Sequence, residues 1–237
     1  MHKIDIPEAV LARGRQMRGG RDHIFDTIEP AKTAHIVVDL QVGFVGAGAP
    51  VEVATCRDMI EEVNAISRAV RNAGGTNVFL RFTYDPGEPQ SWGAYYEAYC
   101  SPSSTDMTRN AFTRGAPNWE LWPALDVAPE DLLVDKTRFS AFIPGTCELD
   151  ALLKSRGIDT LIITGTLTNC CCESTARDAM QMNYKVIFVS DANAALTDAE
   201  HNGTLASMAA IFADVMDTRH LLGVVERSTG APLAMAS

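Results

Sequence analysis

Short apolar runs recur along this chain with longer amphipathic stretches between them, and that alternation restricts the fold more than any other feature. The segment His35–Leu40, HIVVDL, is apolar on both faces, as a strand inside a parallel sheet must be. Residues 57–73 then place Met59, Ile60, Val63, Ile66 and Val70 at helical spacing, and Gly74-Gly75 closes that helix. Further runs at Thr76–Thr83, Leu132–Asp135, Thr160–Thr164 and Lys185–Ser190 read as strands, with Ala213–Asp217 as a last edge strand. Leu149–Arg156, residues 170–182 and residues 199–212 read as helices. Strands and helices in alternation predict right-handed crossovers and an α/β fold, a mostly parallel sheet with helices on both faces. Only the stretch 84–130 breaks the pattern. It holds all three tryptophans and most of the prolines, with little periodicity.

Composition narrows the function classes. The 237 residues carry 30 Asp and Glu against 20 Lys and Arg, a net charge of −10, which speaks against nucleic acid or an anionic membrane as partner. Arg13, Arg15, Arg18 and Arg21 form one basic cluster, but Asp5, Glu8 and Asp22 dilute it, so a solvated helix or arm is the expected reading. No linker divides the chain, so residues 1–30 are read as an N-terminal arm and 31–237 as one domain. No window has the 18 or so consecutive apolar residues of a membrane span, and the N-terminus lacks a signal-like apolar core. Cys56, Cys100 and Cys147 are scattered and Cys170, Cys171 and Cys172 are adjacent, a usage that fits a reduced, cytoplasmic protein.

In such sheets ligands bind beyond the carboxyl ends of the strands. Asp39, Thr83, Lys136 and residues 165–171 all fall there and are expected to meet in one crevice. Cys171 stands where a strand and turn lead into a helix. A helix N-terminus and an ammonium both favour a thiolate, and a carboxylate can take its proton, so these residue types together make an activated thiol. Each also has an ordinary explanation: Asp39 as a turn cap, Lys136 as a solvated strand end, the cysteines as small core residues or an oxidation sensor. Consecutive cysteines point about 100° apart on a helix and cannot share one metal ion.

Three segments bring a family into view: residues 36–44 (IVVDLQVGF), 134–142 (VDKTRFSAF) and 163–180 (ITGTLTNCCCESTARDAM). In order and spacing they resemble the signature blocks of the isochorismatase-like cysteine hydrolases. The resemblance implies a three-layer α/β/α, Rossmann-like domain with a six-stranded mostly parallel sheet, and a homo-oligomer, dimer or tetramer. It implies Asp39, Lys136 and Cys171 as catalytic residues, a cis peptide at Thr166–Leu167, and an oxyanion hole from the Leu167 and Cys171 N–H groups. The implied reaction is hydrolysis of a linear amide or ureido C–N bond in a small molecule through a thioester, releasing ammonia or a small amine. Vinyl-ether hydrolysis is the alternative within the superfamily.

By position, Phe44, Arg81, Tyr84, Trp92 and Arg138 are candidates for substrate binding, with Arg81 and Arg138 as a clamp for a substrate carboxylate. Tyr95, Tyr96 and Tyr99 suggest an oligomer interface. No cofactor and no metal are expected. Nicotinamidase-type relatives carry an Asp and two His after the second strand, whereas His2, His23, His35, His201 and His220 all lie outside 84–130. His35 opens a strand far from its carboxyl end, and His201 and His220 read as surface residues.

Overall fold

The computed structural model describes residues 1–87 and 91–230, so the end of the expected domain, 231–237, lies outside the described residues. Six strands form one sheet: β1 (Thr33–Val38), β2 (Thr76–Phe82), β3 (Leu132–Lys136), β4 (Thr160–Thr166), β5 (Lys185–Ala194) and β6 (Asp214–Met216). Their order is β3-β2-β1-β4-β5-β6, and every neighbouring pair is parallel. The chain winds outward from β1 to β3, then returns to lay β4 on the other side of β1. That reversal opens a crevice between β1 and β4, the place where an open α/β sheet binds ligands.

Among the described residues, eight α-helices accompany the sheet: α1 (Glu8–Met17), α2 (Val42–Val45), α3 (Ile60–Asn72), α4 (Pro102–Phe112), α5 (Leu149–Ser155), α6 (Glu173–Gln181), α7 (Asp198–Ser207) and α8 (Thr218–Thr229). Side chains alternate across each strand, which sorts the core into two layers. Ile36, Val38, Ile163 and Phe188 pack with Leu149, Leu153, Ala176 and Leu205, so α5, α6 and α7 cover one face. Val37, Phe79, Ile162 and Ile187 pack with Val63, Ile66, Leu221 and Val224, so α3 and α8 cover the other. The result is the three-layer α/β/α arrangement. Burying each of these branched side chains contributes about 1.5–3 kcal/mol, which outweighs the weak propensity of β-branched residues for anything but strand in β1 and β4.

Boundaries moved where local chemistry competes with pattern. β1 stops at Val38 because Asp39 has φ of +52°, a left-handed turn that ends pairing. β5 runs past Ser190 to Ala194, its extension paired with Gly165 and Thr166. A tight turn of helix over Ala54–Met59 precedes α3, so the α-helix starts later than the apolar spacing suggests. Neither α4 nor α8 is among the helices expected from the sequence. In α4 only Ala111 and Phe112 are buried, and its start is set by Ser101 accepting from the Ser104 N–H with Pro102 at the first position. α8 begins where Asp217 accepts from the His220 N–H and ends at Gly230 in the left-handed conformation.

The first 30 residues pack onto the body. Gly14 of α1 lies so close to the Ala209 carbonyl that a Cβ would come within 2.9 Å of it. Arg18 donates to that same carbonyl at 2.7 Å, and the Ile24 and Phe25 N–H groups donate to the buried Asp214 carboxylate.

Candidate active site

Asp39 leaves β1 at the crevice with its side chain fully buried. Lys136 ends β3, and its ammonium stands 2.7 Å from Asp39 Oδ2 while donating at 3.0 Å to the Arg138 carbonyl. A buried charge survives only when paired, and here each group is the other's partner. Burial pushes the Asp39 carboxyl above its usual range, with Lys136 pulling the other way. Burial also works against the Lys136 ammonium, but Asp39 and then Cys171 outweigh it and hold the lysine above its ordinary value.

The third group arrives from β4. Gly165, with φ of +122°, lets that strand press on β1; a Cβ there would sit 2.1 Å from the Val38 carbonyl oxygen. The Thr166–Leu167 peptide is cis. A wide turn over Thr168–Cys172 follows, in which the Cys172 N–H reaches back five residues to the Leu167 carbonyl at 3.1 Å. This turn feeds α6 and leaves Cys171 at its N-terminal end, 5% exposed. The adjacent Cys170 thiol and burial push the Cys171 thiol well up, while Lys136 pulls it down. Cys171 is therefore a thiol of raised proton affinity, set beside the buried Asp39–Lys136 pair. Cys172 is wholly buried, and burial raises its thiol too, which makes it an inert core residue.

Cys171 opens into a cavity of about 420 Å³ whose wall is mostly apolar: Phe44, Val53, Phe82, Phe112, Phe139 and Leu167. Phe44 thus stands where the sequence suggested. Tyr84 instead packs edge-on against Tyr96, with the Arg109 guanidinium over its ring. Trp92 stacks on Tyr95 and borders a neighbouring cleft with Arg138.

The structure does not bring Arg81 and Arg138 to this cavity, which corrects the carboxylate clamp. Phe82 points into the cavity, so strand alternation turns Arg81 to the opposite face, where it pairs with Asp135 at 2.9 Å and lies over Trp119. Arg138 lies over the Trp92 ring and donates to the Ser91 and Thr137 carbonyls. His201 is likewise no surface residue: it is fully buried, its Nε2 2.9 Å from the Ser190 carbonyl and its Nδ1 2.9 Å from Thr168 Oγ1. A carbonyl can only accept, so Nε2 carries the proton and the Thr168 hydroxyl donates to Nδ1. His220 is half-buried against the His23 ring.

Two supports were not legible. Gln41, buried, donates to the Phe82 and Trp119 carbonyls and accepts from the Phe82 N–H, tying the Asp39 turn to the end of β2. Its only sequence signal is a polar residue just past an apolar strand. Thr168–His201 ties the cysteine turn to α7, and no local pattern announces a contact between residues so distant. Among the described residues, no group of three or more His, Cys, Asp or Glu side chains is arranged to hold a metal ion.

Comparison with known proteins agrees with this fold. The family model Isochorismatase domain matches residues 33–220. Ureidoacrylate amidohydrolase RutB of Methylobacterium radiotolerans is 31% identical, with 87% of this chain and 86% of the relative covered. The same enzyme of Pseudomonas syringae pv. syringae is 30% identical, with 80% of each covered. Among solved structures, a cysteine hydrolase from Pseudomonas syringae pv. phaseolicola superposes with a TM-score of 0.76 at 31% identity, covering 84% of this chain and 95% of that one.

Proposed function

The chain belongs to the isochorismatase domain family, and from that premise we propose that it is a cysteine-dependent amidohydrolase cleaving a linear amide or ureido C–N bond of a small molecule. The observation that carries the reading is the buried Asp39–Lys136 pair beside a thiol that opens into an apolar cavity. The names of the relatives, amidohydrolase and cysteine hydrolase, support the same reaction class. Residues 31–237 are taken as the hydrolase domain with 1–30 as its arm, and the working form as a homo-oligomer.

The reaction begins with transfer of the Cys171 proton to Asp39, whose raised proton affinity suits it to accept. The thiolate attacks the carbonyl carbon, and the Leu167 and Cys171 N–H groups receive the developing oxyanion. Lys136 stays protonated throughout and holds both anionic partners in place. The C–N bond then breaks as the nitrogen takes the proton from Asp39, and ammonia or an amine leaves. Water gives its proton to Asp39 and attacks the thioester; the sulfur departs, recovers the proton, and the acid or carbamate is released.

Acid quenching during turnover, followed by peptide mass mapping, tests this. The expected result is an acyl adduct on Cys171. Turnover without any adduct on a cysteine, at several quench times, would remove the thioester.

A further inference from the structure

The cavity wall says which amides this site takes, an inference that rests on the amidohydrolase reading. Among the described residues lining it there is one carboxylate, Glu52, and no lysine, arginine or histidine. Glu52 has its own partners, Arg57 at 2.8 Å and the Gly48 N–H at 2.8 Å, and Arg57 is further held by the Val45 carbonyl. The positive charge of Lys136 is already matched by Asp39. An anion entering here gives up its hydration for an apolar wall and, among the described lining residues, meets no unmatched cation. An uncharged substrate pays none of these penalties and gains contact with Phe44, Val53 and Phe112.

We infer that the site takes uncharged open-chain amides or ureas with apolar substituents and discriminates against carboxylate-bearing ureido acids, in contrast to the ureidoacrylate for which its relatives are named. Thr108 and Tyr95, the polar wall residues besides Glu52 and the thiols, are suited to a neutral carbonyl or N–H of such a substrate.

Two reagents of matched size test the cavity without any catalysis. Iodoacetamide is neutral and iodoacetate is anionic, and both alkylate a thiol. With peptide mapping of Cys171 and glutathione as the reference for intrinsic reactivity, iodoacetamide is expected to be favoured by at least about ten-fold beyond the glutathione ratio. Glu52→Gln, which takes the carboxylate partner from Arg57 and leaves that cation unmatched beside the wall, is expected to recover about five-fold of that for iodoacetate. Hydrolysis supplies the second arm: propylurea against 3-ureidopropanoate, and butyramide against succinamate. The neutral member of each pair is expected to lead in kcat/KM by about 30-fold or more. A normalised iodoacetate rate equal to or above that of iodoacetamide, or preferred turnover of the carboxylates, overturns the inference while leaving an amidohydrolase; it would mean a cation supplied by a second subunit. No ammonia from any of the compounds, with the alkylation preference intact, sinks the amidohydrolase reading and upholds the charge selectivity of the cavity.

Discussion

The floor of the cavity and its wall are built on different principles. The floor is set by strand ends: Cys171, just beyond β4, lines the cavity, and the ion pair of Asp39 after β1 with Lys136 at the end of β3 lies wholly buried beside it. The wall comes from α2, from α4 and from the turn over Ala94–Tyr99, supplying Phe44, Thr108, Phe112 and Tyr95. Asp39 and Lys136 are over-determined, since removing either leaves the other as an unpaired charge in the interior. Wall groups meet the cavity through dispersion contacts that tolerate replacement. Chemistry and selectivity are therefore separable in this protein, and substitutions can test that separation.

The largest effect belongs to the floor. Cys171→Ala is expected to lower turnover by at least about 10⁴-fold with an unchanged circular dichroism spectrum, while Cys170→Ala keeps most of it. Full activity in Cys171→Ala with loss in Cys170→Ala would move the nucleophile by one residue. Next, Lys136→Met leaves Asp39 as an unpaired buried charge and is expected to cost about 3–5 kcal/mol in denaturant unfolding. Asp39→Asn is expected to lower kcat by about 10²–10⁴-fold. The double variant should recover most of the stability and none of the activity; recovery of both would show that the pair is structural only.

The strands beneath the floor predict a pH dependence. His35 is buried between Ser67 and Thr164, and burial lowers its pKa to about 3. Its unfolded form binds a proton near pH 6.5, so the stability gained from a neutral His35 is complete above that value and is lost as pH falls toward 3, by up to about 1.4 kcal/mol per pH unit. Chemical unfolding of wild type and His35→Gln across this range should show the flatter slope in the variant. A wall change is expected to be milder: Phe44→Ala should raise KM by about ten-fold and change kcat less than about three-fold. An equal fall in kcat would make Phe44 part of the floor. Smallest of all, Arg81→Gln should alter kcat/KM by less than about two-fold, because its ion pair with Asp135 lies outside the cavity.

Most of the floor was legible because its residues sit at strand ends, and strand ends are readable from apolar runs. Cys171 and Lys136 needed only that rule and a family resemblance to be singled out. The wall was not legible. α4 is largely polar and buries only its last residues, so it has no periodic stripe to find. Arg81 misled for a different reason: being near a strand end says nothing about which face a side chain takes until the register of its neighbours is known.

What the sequence determined by itself is the alternation of strands and helices, hence the parallel sheet and the edge at which chemistry gathers, because burial on two faces demands continuous apolar runs. Only the tertiary structure decided that Gln41 ties the Asp39 turn to the end of β2, that His201 lies buried under the cysteine turn, and that the cavity keeps an acid while Arg81 and Arg138 turn away. Those outcomes depend on which strands become neighbours and which way side chains point at their ends, and contacts between residues far apart in the chain leave no local pattern in the sequence.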